Sequence, residues 1–489
     1  MRSAARGERL YGCVARFPCW PCPCSPPAAT GAGGSPGATA ARPPAPGLSL
    51  PPVAGASSGP TAQPGRVRLG ANWPTYHHDN ARGGYLAAGP DPQSPAVAWQ
   101  AELDGKVYAS PLVVDGRVLA ATEGGSLYAL DGTSGRVLWR RHLADPIPAA
   151  SQPCGNIDPL GITGTPVYDP ATHQVFAVTT VAGSRHVLYA VDAATGRVRS
   201  QRDVDAPGSV PATQLQRGAL LLAGRTVYIA YGGNLGDCGP YLGRVVAAPM
   251  AGGALRSFAV PTGREAGIWA ASGPAATPAG ELLVTTGNGS ASTGNWDHSD
   301  SVLRLSPMLE LLDGFAPQGW AQENSVDADL GSTGPVLLPG GRQALAVGKG
   351  GSAYLVDVGR LGGVGGQRDL LRDCSSYGGA AAAPVAGGSG GAVAYLPCSG
   401  GLLQVRVQDG RLARGWQAQG QVTGSPIVVG STVWSVQQDG ALYGLDAGTG
   451  RQRALLQVGD ASRFATPAAS GNALLVPTLH GITAVRLLS

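Results

Sequence analysis

Three neighbouring side chains, His77, His78 and Asp79, have the chemistry of metal ligands, imidazole and carboxylate. On an extended segment adjacent side chains point to opposite sides, so both histidines are not expected on one ion, and a capping role is expected instead. Lysine occurs only at Lys106 and Lys349. Cysteine divides into an N-terminal group (Cys13, Cys19, Cys22, Cys24) and four later residues (Cys154, Cys238, Cys374, Cys398). The first group is crowded and broken by prolines, lacks paired CxxC geometry and has no His nearby, so zinc is not expected there. No GxSxG elbow, HExxH helix or P-loop occurs, which removes the hydrolase, zincin and nucleotide readings.

The elements that must position any site are short strands. With 76 Gly and 40 Pro in 489 residues, 6% aromatic and 13% charged residues, the composition suits tight turns rather than long amphipathic helices. The net charge of +4 comes from nearly balanced acids and bases with no basic run, so nucleic acid is not an expected partner. No window approaches the ~18 consecutive apolar residues that a spanning helix needs, so no transmembrane segment is expected.

Residues 25–65 hold ten prolines, many small residues and one charge. Such a stretch buries too little apolar surface to offset its ordering entropy, so residues 1–65 are expected to form a mobile arm and tether. Leu10-Tyr11-Gly12-Cys13 is similar to a lipobox, yet Arg2, Arg6, Glu8 and Arg9 interrupt the apolar stretch that a signal peptide needs. Either the true start lies elsewhere or the chain is exported without a readable signal.

From residue 97 onward one pattern recurs: YALDGTSGRVLW (128–139), YAVDAATGRVRS (189–200) and YGLDAGTGRQRA (443–454), with weaker copies between them. Asp131, Asp192 and Asp446 can accept backbone N–H bonds in an Asx turn, and Gly135, Gly196 and Gly450 can take positive φ. A second marker, a small residue followed by proline, is expected to begin each inner strand at Pro111, Pro166, Pro274, Pro335, Pro384, Pro426 and Pro467; the unit near Gln216–Leu221 lacks it. Eight units of about 49 residues match the period of a four-stranded propeller blade. One blade cannot bury both faces, so the units must stack around an axis until the ring closes. The last unit supplies only three strands, and residues 96–103 form an orphan strand of the outermost type. The expected fold is an all-β, eight-bladed propeller of four-stranded antiparallel blades over residues 96–489. An entry segment at 66–95 precedes it, and the N-terminal strand completes the last blade and removes its exposed edge.

These signatures, with the entry segment NWPTYHHDNARGGY (72–85), resemble the PQQ-type propeller repeat of quinoprotein alcohol dehydrogenases and outer-membrane assembly lipoproteins, and the bacterial PQQ-binding-like propellers. The resemblance covers roughly residues 72–488. Trp99, Trp139 and Trp416 fit the family's docking positions, whereas Ser200 and Ala454 replace Trp elsewhere; losing Trp139, if buried between blades, should cost ~3–5 kcal/mol.

The resemblance also implies a site. ThrThrGlyAsn at 285–288, with Trp296 and Asp300 following, looks like the family's GTGN segment and makes Asn288 a calcium-ligand candidate. Asp327 or Asp329 would be the base that takes the alcohol proton, with Asp327 also a metal candidate, and Lys349 in GKGGSAYLVD would contact the quinone. Against catalysis, the family's adjacent Cys-Cys pair is reduced to Cys154, and TVAGSRHVLYAVD (180–192) offers no Glu ligand before its strand. On the blander reading, Asn288 and the two aspartates cap inner loops and Lys349 pairs with Asp327 or Asp329.

Cys154 precedes the inner strand of the second blade and Cys238 lies in a loop of the third; Cys374 enters the sixth and Cys398 follows its second strand. Bridges 154–238 and 374–398 are expected, implying an oxidising compartment; buried inert thiols are the alternative. The function expected is that of a monomeric, extracytoplasmic binding or assembly scaffold, secreted or lipid-anchored, with no catalysis and no cofactor. Its partner would be a protein or cell-envelope ligand at the funnel face, where GNIDPLG, GGNLGDCGPY, GNGSASTGNWDHSD and GGQRDLLRDCSSYGG converge. The alternative is a PQQ- and calcium-dependent alcohol or sugar dehydrogenase.

Overall fold

The computed structural model describes residues 66–488 apart from 386–389, 419 and 421. The expected arm over residues 1–65, with its four cysteines and lipobox-like tetrapeptide, lies outside the described residues.

Each repeat folds as an antiparallel sheet because its Asp–Gly turn reverses the chain locally. Thr133 and Ser134 donate backbone N–H groups to Asp131 Oδ1 (3.1 and 2.9 Å), and Thr195 and Thr449 donate to Asp192 (2.9 Å) and Asp446 (2.7 Å). Gly135, Gly196 and Gly450 take φ of 73°, 68° and 72°. A Cβ at these three glycines would stand only 2.5–2.7 Å from the rings of Trp99, Trp139 and Trp416, each on the preceding blade. The indole nitrogens of those tryptophans donate to the turn carbonyls of Gly132, Ala193 and Ala447. The turn thus positions a flat backbone platform, and the tryptophan docks one blade onto the next. At the junction of blades two and three, where Ser200 replaces Trp, Arg202 donates to the carbonyls of Pro249 and Gly253 instead.

Trp139 is half-buried rather than fully enclosed, which scales down the loss expected from the sequence. Trp139→Ala should lower stability by about 2–3 kcal/mol. Urea unfolding with an unchanged m-value would check it.

Eight sheets result. Counted inward to outward along the chain, blades one to seven occupy 112–142, 167–203, 214–259, 275–316, 336–372, 381–417 and 427–457; the eighth takes three strands from 468–486 and its outermost from Ala96–Glu102. That closing strand runs antiparallel to Gly481–Arg486, with Val97 opposite Val485 and Ala101 opposite Ile482, and the inner strands of blades eight and one lie side by side. The propeller is therefore closed as the orphan strand predicts. The cores lie between adjacent blades, as where Leu221, Tyr228 and Val245 of blade three pack with Leu282, Val284 and Leu303 of blade four.

Two details differ from the sequence reading. Pro384 ends the inner strand Ala381–Pro384 of blade six rather than beginning it. Among the described residues the inward side of this strand bonds only the entry segment, through Ala382 N–H, so a residue without N–H is tolerated at its end. Within GGQRDLLRDCSSYGG, Asp369–Arg372 forms the outer strand of blade five, and only the remainder is loop.

The entry segment is built into the ring. Arg68 N–H donates to Asn472 of blade eight, and Trp73 exchanges backbone bonds with Val113 of blade one. The carbonyl of Pro74 accepts from Tyr168 of blade two, and Asn80 donates to Leu222 of blade three and accepts from Ala276 of blade four. The carbonyls of Ala81, Gly83 and Gly84 accept from Leu337, Ala382 and Val428 of blades five, six and seven. Residues 68–86 thus visit the inner strands of all eight blades in ring order.

Candidate functional site

In each blade the loop before the inner strand and the loop joining the second and third strands emerge on the same face, since antiparallel neighbours return the chain to the end it left. On that face blades four and five bring the predicted residues together. Asn288 stands in the second-to-third-strand loop of blade four, Asp327 and Asp329 in the loop entering blade five, and Lys349 in the hairpin between Gln343–Val347 and Ser352–Asp357.

Lys349 Nζ lies 2.6 Å from Asp327 Oδ1 and 2.6 Å from Asp329 Oδ2. Asp329 is buried, whereas the Asp327 side chain is 74% exposed and its φ is 54°. Asn288 Nδ2 donates to Asp327 Oδ1 (2.7 Å), and Trp269 Nε1 donates to Asp329 Oδ1 (3.2 Å). Lys349 Nζ is 5.7 Å from the centre of the Trp269 ring. Burial pushes the Asp329 carboxyl up to about 6 despite the ammonium beside it. Burial works against the Lys349 charge, but Asp329 and Asp327 outweigh it and hold the ammonium above the usual lysine range.

Further groups surround the Lys349 bridge, and sequence reasoning gave none of them a role. Asp300, fully buried, accepts the Leu330 N–H through Oδ1, while its Oδ2 is buried without a partner among the described residues. Burial, followed by the nearby Asp329 charge, lifts it to about 8. Glu323, on the short helix Trp320–Ser325, is pushed by burial to about 7. Trp269 meets Phe464 edge-on across the axis at 6.3 Å, and the Arg217 guanidinium lies 5.2 Å from Phe464 and 5.9 Å from Tyr108. These residues come from blades or entry loops far apart in sequence, and of them only Asp300 is named with a sequence motif, the GTGN-like segment.

Both candidate carboxylates are thus bound to one ammonium, Asn288 turns its N–H₂ toward Asp327, and Phe464 stands against Trp269. A calcium held by Asn288 and Asp327, with a free base at either aspartate, does not fit this arrangement. Among the described residues no group of three His, Cys, Asp or Glu side chains is placed to hold a metal. At the entry segment, His77 and His78 have φ of 52° and 74°, so the chain there turns instead of extending. His77 stacks on Tyr76 at 4.2 Å and donates from Nδ1 to the Arg82 carbonyl, and burial drives its pKa down to about 3. His78 tilts against Trp73 and Asp79 accepts from Gly83 N–H, so the three do not converge.

The disulfides Cys154–Cys238 and Cys374–Cys398 are both formed, with Cα–Cα distances of 6.0 and 4.8 Å. The first ties the loop entering blade two to a loop of blade three on the funnel face. A cleft of about 1100 Å³ lies away from Lys349, between Asn80 and Gly83 of the entry segment and the first hairpins of blades three to five.

With this geometry in hand, the comparisons bear on the fold. The family model described as outer membrane protein assembly factor BamB matches residues 87–271. No curated protein sequence matches the chain. The quinohemoprotein alcohol dehydrogenase ADHIIG from Pseudomonas putida HK5 aligns with a TM-score of 0.64 and 14% identity over 85% of this chain and 80% of that one. A europium-containing methanol dehydrogenase gives 0.64 and 14% over 85% and 98%, and BamB from Moraxella catarrhalis 0.54 and 14% over 81% and 99%. The resemblance to PQQ-like propellers therefore holds across the ring, as a likeness of fold.

Proposed function

We propose that this PQQ-like β-propeller is an extracytoplasmic binding or assembly scaffold, acting as a monomer, whose funnel face takes a protein or cell-envelope ligand and which has no redox catalysis of its own. The observation that carries this reading is the Lys349 bridge. A base for alcohol oxidation must be free to take a proton, and both aspartates in position to do so are engaged by the same ammonium. The matched BamB family model, described as an assembly factor, supports the same direction. Two disulfides fit an oxidising compartment, and no helix among the described residues is long and apolar enough to cross a membrane.

A second reading, a PQQ- and calcium-dependent dehydrogenase, is favoured by the convergence of Asn288, Asp327, Asp329, Lys349 and Trp269, and by the buried Asn288 Oδ1, which has no partner among the described residues. One assay separates the two. Purified protein mixed with PQQ and Ca²⁺ is expected to show no saturable thermal shift and no alcohol- or sugar-driven dye reduction. Saturable stabilisation with turnover would overturn the scaffold reading and make Asp327→Asn the next variant.

A further inference from the structure

A second cleft on the funnel face, about 460 Å³, lies between blades six and seven and shares no lining residue with the Lys349 cluster. Its chemistry is unlike that of the apolar blade interfaces. Tyr377 and Arg463 form one wall, and Ser399, Thr423, Gln438 and Asp439 stand among the other lining residues with the apolar Pro397 and Val436. The Arg463 guanidinium is laid over the Tyr377 ring at 3.9 Å, with Phe464 5.9 Å away. Stacking fixes the plane of a guanidinium and leaves its edge N–H groups to donate. Arg463 is exposed and, among the described residues, has neither an ion-pair nor a hydrogen-bond partner. Asp439 uses one oxygen to accept the Ala441 N–H, which leaves the other available.

We propose that this cleft binds an acidic saccharide, a sugar ring bearing a carboxylate. Three features select that class. A planar guanidinium held in place is the geometry that recognises a carboxylate in bidentate fashion. The opposite side offers a carboxylate, an amide and two hydroxyls, the mixture of donors and acceptors that pairs with ring hydroxyls, each of which both donates and accepts. Pro397 and Val436 add a small apolar surface to the polar lining, the combination that the carbon face and hydroxyls of a sugar ring cover together. The inference rests on the reading of the funnel face as a recognition surface and adds a ligand class to it.

The test uses the whole chain and a panel of D-glucuronate and D-galacturonate, with D-glucose and acetate as the neutral and sugar-free comparisons, measured by ligand-observed NMR titration. At least one uronate is expected to bind saturably, about tenfold or more tighter than glucose or acetate, since one charge-assisted bidentate contact is worth at least that factor. Arg463→Gln should weaken it at least about tenfold, and Gln438→Ala, an exposed position that the fold does not need, should weaken it by a smaller factor, both with unchanged melting temperature. No saturable uronate binding, or equal binding of glucose or acetate, or a Kd unmoved in Arg463→Gln, would each overturn the proposal. None of these outcomes touches the cofactor assay, so failure here and failure of the scaffold reading are told apart.

Discussion

Arg82→Met is expected to destabilise the propeller by about 3–5 kcal/mol, more than a half-buried docking residue such as Trp139. Arg82 is fully buried and donates to four oxygens: the carbonyls of Pro274 (2.8 Å), Leu220 (3.1 Å) and Tyr76 (3.2 Å), and Thr75 Oγ1 (2.8 Å). Two of these carbonyls belong to the approaches to blades three and four, and two acceptors to the entry segment itself, so one side chain fastens residues 68–86 to the ring. Burial lowers the guanidinium to about 10, which still leaves it charged at neutral pH. Two effects oppose each other on replacement. Removing a buried charge recovers desolvation free energy, which alone makes some such swaps neutral. Leaving buried carbonyls without a donor costs about 1–3 kcal/mol each, and with three of them the loss wins. Lys at 82 keeps the charge but cannot span four acceptors, so Arg82→Lys should fall between. Chemical denaturation followed by tryptophan fluorescence would decide it, and a loss below about 1 kcal/mol for the Met variant, the scale of an ordinary surface change, would show that the segment is not a fastening.

That segment marks where sequence reading stops. The blade turns were legible because their chemistry is local: Asp131 and Gly135 are four residues apart, and their positive-φ and Asx requirements are written in the residue types. The docking of Trp99 and Trp139 was legible because the repeat places each at a fixed offset. Ring closure could be read because a missing strand at one end matched a spare one at the other, and the cysteine pairs because one falls in neighbouring blades and the other within blade six. The path of residues 68–86 had no such signal. It has no period, and its partners lie up to some four hundred positions away, as for Arg68 and Asn472. The contact of Trp269 with Phe464 exists only once blades on opposite sides of the axis face each other. Lys349 illustrates the middle ground: family resemblance supplied the residues, but the double pairing with Asp327 and Asp329 depends on how two irregular loops settle, which residue types alone do not determine.

Asp300→Asn is expected to leave stability nearly unchanged near pH 4 and to raise it by about 2–5 kcal/mol at pH 9, an effect set by one buried carboxyl. In the folded chain Asp300 holds its proton to about 8, because burial and then the Asp329 charge oppose ionisation; unfolded, it ionises near the ordinary carboxylate value of about 4. Between those two pH values the folded state carries more protons than the unfolded one, so stability present below about pH 4 is lost progressively as pH rises to about 8, and the loss is complete above it. Asparagine cannot ionise, still offers an oxygen to the Leu330 N–H, and replaces the unpartnered Oδ2 with an amide, so it escapes the loss without changing shape. Glu323 and Glu123, each pushed by burial to about 7, and Asp329 at about 6 add slopes of the same sign to both proteins, and for that reason the measurement is the difference between wild type and variant across pH 4.5–9, not the wild-type curve alone. Parallel curves would show that Asp300 is already ionised at neutral pH, and the charge around Lys349 would then be three carboxylates against one ammonium rather than two.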